Sequence, residues 1–110
     1  MFRALILATI FLVISERSYC ETLNEKVARN AVNCLAGHIA SESQKFKSGA
    51  TSQYIIFAEN ILGSEKTASE IKNALDKVNT AVRMLGSSKK DEGIFLVSQF
   101  CPAIDEIIFK

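Results

Sequence analysis

One histidine, one proline and five glycines leave this chain of 110 residues short of the groups on which most site chemistry and most short-strand folds depend. The lone imidazole, His38, falls within the apolar arc of a helical pattern and reads as a core side chain rather than a catalytic one. One histidine with two cysteines does not complete a zinc site without further ligands, so no metal is expected. So few turn residues cannot punctuate many short strands, and no stretch alternates apolar with polar long enough to argue a sheet. A Gly-rich phosphate loop, a nucleophile elbow and an acidic calcium loop are all missing from the sequence, as is any Asn-x-Ser/Thr glycosylation acceptor. The acids Asp91-Glu92 and Asp105-Glu106 are sequence neighbours, which on a helix do not face the same way, so they read as start-of-helix charge and a solvated face. No enzyme activity and no cofactor are expected.

The chain also lacks an apolar run long enough to cross a bilayer. Ala4 to Ile14 is apolar except for Thr9, but it is eleven residues long, where a span needs roughly 20. It is preceded by the basic Arg3 and followed by Ser15–Cys20, with small residues near its end, the order of a secretory signal peptide. Ser18 and Cys20 fit the positions three and one before the cut, giving a leader over residues 1–20 and a mature single domain over residues 21–110. A cut after Ser15 is the second choice, and it would keep Cys20.

Removing the leader takes away Arg3, Arg17 and Glu16, which leaves basic and acidic residues in equal number. A chain without basic excess is poorly suited to nucleic acid or to anionic membrane surfaces. Two cysteines remain, Cys34 and Cys101, and an even count in an oxidising compartment reads as one disulfide. Closing so long a loop is worth roughly 4 kcal/mol on the chain-entropy estimate, a large share of the stability of a domain this small.

The periodicity is helical almost throughout, and an all-α fold follows: a small four-helix bundle stapled by the disulfide, or five helices if Pro102 breaks the last. The first helix should run from about Thr22 to Ala40, with Leu23, Val27, Ala31, Cys34 and His38 on one arc and Thr22–Glu25 as a capping box. Gly37 weakens its last turn. Ser41 to Ala50 reads as a loop, with Phe46 a plug over the core. A second helix, about Thr51 to Leu62, is apolar round most of its circumference and so belongs in the middle of the bundle. In the third, a Thr67–Glu70 capping box precedes Ala68, Ile71, Leu75, Val78, Val82 and Leu85, a seam that ends at Gly86. The last begins near Asp91, with Ile94, Val97, Cys101, Ile104 and Ile108 as its stripe.

The second and last helices carry more apolar residues than one shared core needs. Phe57, Ile61, Phe95, Phe100, Ile104 and Phe109 are the candidates to line whatever takes the surplus: a surface for another extracellular protein, a homodimer surface, or a cavity for a small hydrophobic ligand. Two functions are therefore expected, a secreted non-enzymatic protein acting through protein–protein interaction and, as the alternative, a carrier of a lipid-like molecule held between helices. The plan of a small secreted helical domain with cysteines toward opposite ends is similar to that of secretoglobins, which form disulfide-linked dimers around a hydrophobic cavity. The cysteines here lie farther from the chain ends and no motif of that family occurs, so the likeness is one of general plan alone.

Overall fold

The computed structural model describes residues 22–109, so the expected leader and the cut after Cys20 lie outside the described residues. Every regular element among them is a helix: α1 Leu23–Ser41, α2 Gln44–Lys47, α3 Ser52–Leu62, α4 Ser64–Leu85 and α5 Lys89–Ile108. Three of these begin at a hydroxyl that accepts one of the amides a helix start leaves unpaired: Thr22 from Glu25, Ser43 from Phe46 and Ser88 from Asp91. α1 ends at Glu42, in a left-handed conformation at φ 51°, where the Glu42 and Ser43 amides donate to the carbonyls of Ile39 and His38.

α1 is the central element. Ala28, Ala31, Val32, Cys34, Leu35, Ala36, Gly37, His38 and Ala40 are all buried, well past the half-circumference its hydropathy suggests. The reason is size: four of the nine are alanine and one is glycine, so neighbouring helices approach on several sides without voids. On one side α1 shares a core of Ala31, Cys34, Leu35, Tyr54, Cys101 and Ile104 with α3 and α5. On another, Val32 and Ala36 meet Ala58 of α3 and Ala74 of α4. The expected middle helix, α3, is instead peripheral enough to leave Ile56 exposed.

α1 and α5 run in opposite senses, Cys34 opposite Cys101 and Gly37 opposite Gly93. The Sγ atoms of the cysteines are at disulfide distance, with their Cα atoms 4.9 Å apart. At the glycines the backbones are in contact. A Cβ on Gly37 would lie 2.8 Å from both the Gly93 carbonyl oxygen and the Val97 nitrogen, and one on Gly93 would lie 2.5 Å from the Ser41 nitrogen. Gly37, which costs helix propensity, is thus explained by what it lets through.

Three expectations need correction. The fifth helix does not come from a break at Pro102, because α5 runs continuously through that residue; it is α2, one turn within the expected loop, started by Ser43. Pro102 is on the exposed side, where water can take over the Ser98 carbonyl that loses its partner, while Cys101 and Ile104 hold both halves of α5 on the buried side. α4 begins at Ser64, three residues ahead of the expected cap, and Thr67 is buried within its first turns with no hydrogen-bond partner for Oγ1 among the described residues. Its buried line is Thr67, Ala74 and Val78, whereas Ala68 and Leu85 of the expected seam are exposed and Leu75 sits half-buried at the edge. Small Ala74 against Ala36 and Ala58 draws the helix in along that line. Ion pairs Arg29–Glu70 at 3.7 Å and Lys66–Glu25 at 3.6 Å cross between α1 and α4 at the partly exposed margin, where such pairs are worth little.

Gly93→Ala should cost at least about 1 to 3 kcal/mol in a urea melt, because the new methyl meets backbone rather than a movable side chain. Asn73→Ala, on the exposed side of α4, should change stability by under about 0.5 kcal/mol.

Candidate functional site

The bridge between α1 and α5 sits beside a compact group of polar side chains. His38 is one helical turn after Cys34, and Asp105 one turn after Cys101, so both project from the side of their helix that carries the bridge. His38 Nε2 lies 3.4 Å from Cys101 Sγ, and Nδ1 lies 2.7 Å from Ser43 Oγ. Its ring stacks on Tyr54 of α3, with centroids 5.7 Å apart and planes 16° from parallel. Tyr54 in turn donates its hydroxyl proton to Asp105 Oδ1 and accepts from Lys45 Nζ of α2 at 3.0 Å. Lys45 also pairs with Asp105 at 3.7 Å and lies 4.4 Å from the centroid of the Phe109 ring, a cation–π contact. Tyr54 and Phe109 meet edge to face.

These contacts tie α2, the start of α3 and the end of α5 to α1. Burial moves two of the titrations. The His38 imidazole is held below the ordinary histidine range first by its burial and then by the Lys45 charge, with Asp105 opposing. The Tyr54 hydroxyl is pushed well above the usual tyrosine range, by burial first and then by its hydrogen bond to Asp105 and that carboxylate's charge.

Ser43 and His38 are within hydrogen-bond distance, as in a nucleophile–base pair, but the arrangement lacks the third partner. The far nitrogen of His38 faces sulfur rather than a carboxylate, and Ser43 Oγ is engaged as the cap of α2. Asp105, expected on a solvated face, is instead committed to Tyr54 and Lys45. The spacing Cys101 to Asp105 carries that signal, since residues four apart share a face of a helix.

The six apolar candidates are divided among four places. Ile104 is 1% exposed within the core, and Phe57 and Phe100 pack half-buried against the same cluster. Phe109 covers the polar group, and Ile61 is half-buried on α3. Phe95 is 56% exposed and lies on a groove of about 150 Å³ between α4 and α5, whose floor includes Ala74, Val78, Ala81 and Leu96 and whose rim carries Lys77 and Glu92. Lys77 and Ala81 also belong to a second apolar depression, formed by α4 alone, that reaches Met84 and Leu85. Those two side chains are 80% and 74% exposed, and the sequence pattern had placed Leu85 in the seam.

No family model matches the chain, and comparison with curated proteins and with solved structures finds no match either.

Since folded His38 has a pKa below the unfolded 6.5, the unfolded chain takes up that proton first. The contribution is therefore complete above the unfolded value and is lost as pH falls through it toward the folded one. Urea midpoints at about pH 7.5 and about pH 5 should differ less in His38→Gln than in the parent.

Proposed function

We propose that this chain is a secreted, non-enzymatic protein that acts by binding another protein, or a second copy of itself, through the face formed by α4 and the first half of α5. In this reading residues 1–20 are a cleaved leader, residues 21–110 form one disulfide-stapled helical bundle, and an oxidising compartment maintains the Cys34–Cys101 bridge. The observation that carries it is the run of exposed apolar side chains along that face: Phe95, Met84 and Leu85, bordering the joined depressions on α4. Large apolar groups gathered in one place on a small protein favour a partner surface over chance exposure. The charged rim of Lys77 and Glu92 around an apolar floor has the anatomy of a protein interface.

The carrier reading is less well supported. Sites for small organic ligands usually enclose about 300 to 1,000 Å³. The groove at Phe95 holds about 150 Å³; the depression at Met84 reaches about 380 Å³, but it is bounded by one helix and lies open, so it does not enclose a ligand.

Native mass spectrometry of the protein secreted by its own kind of cell separates the two. A defined dimer or protein complex is expected. A monomer carrying a small apolar molecule would contradict the proposal and favour the carrier. Phe95→Glu and Met84→Glu should each weaken the assembly by at least about tenfold, the scale of an interface anchor, while leaving the thermal midpoint nearly unchanged.

A further inference from the structure

We propose that Cys34, His38 and Cys101 constitute a redox-gated site for a thiophilic divalent ion of the zinc class, closed while the bridge is intact and opened by its reduction. One ligand atom from each residue lies within 4.8 Å of the others, and all three residues are buried. Cys34 and His38 stand four residues apart on α1, the spacing that brings two ligands to one face of a helix, and Cys101 arrives from the antiparallel α5.

Opening the site requires a two-electron reduction. Two equivalents of a small-molecule thiol are oxidised to their disulfide, the Cys34–Cys101 bond breaks, and two cysteine thiols result. A divalent ion then displaces both thiol protons to solvent. Two sulfurs on a tetrahedral zinc sit about 3.8 Å apart, given bonds of about 2.3 Å. With the Cα atoms 4.9 Å apart, rotation about the Cα–Cβ bonds can supply that separation with the helices in place.

Charge and orientation select the ion class. Two thiolates, a neutral imidazole and a divalent cation sum to zero, and zero is the net charge a buried site holds most cheaply. A monovalent ion would leave one negative charge in the core. Ser43 Oγ, 2.7 Å from Nδ1, can accept a hydrogen bond from Nδ1–H, and this tautomer leaves the Nε2 lone pair facing Cys101 Sγ. A partner of this kind on the outer nitrogen is the usual support of a metal-bound histidine. Stacking on Tyr54 holds the ring plane. The fourth position is left to an exogenous ligand such as water.

The test uses the full mature chain under anaerobic conditions with excess phosphine reductant. Zn²⁺ uptake is read by competition with a chromophoric chelator, and helicity by far-UV circular dichroism on the same samples. Reduced protein should take up one equivalent and oxidised protein none, and Cys34→Ser and His38→Ala should each weaken binding at least about tenfold. If reduction itself melts the helices, one equivalent of Zn²⁺ should restore them, since metal binding then drives folding. The proposal is overturned if the reduced parent binds Zn²⁺ no better than the Cys34→Ser/Cys101→Ser variant, or if His38→Ala binds as well as the parent.

Discussion

The close antiparallel pairing of α1 and α5 is the constraint on which the rest of the structure depends. Gly37 and Gly93 let the two backbones touch, and farther along the same seam, at Cys34 on α1 and Cys101 on α5, the two sulfurs meet. The two features support each other. The crossing sets the distance at which the cysteines can bond, and the bond restricts the unfolded chain so that the crossing is reached at lower entropic cost. A chain of this size buries a modest fraction of its surface, so a single well-made contact of this kind weighs more than it would in a larger domain.

From that pairing the remaining elements follow. α3 and α4 pack on the alanine-rich sides of α1, and the short α2 folds back so that Lys45 reaches Tyr54 and Asp105. The polar group beside the bridge is satisfied almost wholly within itself. Tyr54, completely buried, shares its hydroxyl between a carboxylate and an ammonium, and the His38 ring has a partner at each nitrogen. Such a network fixes one arrangement of the helix ends, because any slip leaves a polar atom buried and unpaired. Thr67 Oγ1 is the contrasting case, buried on α4 with no partner among the described residues.

Helix type and number were mostly legible in the sequence because capping hydroxyls and apolar stripes are local signals. Thr22 capped its helix as its spacing with Glu25 implied, and α3 ended at Gly63. What hydropathy could not convey was the order of burial. It ranked the helices by greasiness and so put the helix of about Thr51 to Leu62 in the middle, whereas the middle went to α1, whose alanines and glycine score low but admit close neighbours. On α4 the buried line likewise runs through Thr67, Ala74 and Val78 rather than through Ala68 and Leu85. Pro102 misled for another reason: the rule for proline concerns a lost hydrogen bond, and that loss is small where the orphaned carbonyl can face water. The polar group could be found only by asking which residues lie one turn from each cysteine, since its members are spread from His38 to Asp105 along the chain.

The same geometry unites the surface and the interior of the molecule. With its small-residue side spent on α1, α4 leaves Met84 and Leu85 outward, and with its glycine side spent on Gly37, α5 leaves Phe95 outward. The central claim is therefore the α1–α5 clamp, and the most direct measurement is disulfide mapping of the protein by mass spectrometry of its non-reduced proteolytic peptides. The account predicts one linked pair, the peptide holding Cys34 joined to that holding Cys101, and no alkylatable thiol in the native protein. Finding Cys34 and Cys101 both free, or either of them bonded to Cys20 or to a second chain, would contradict it.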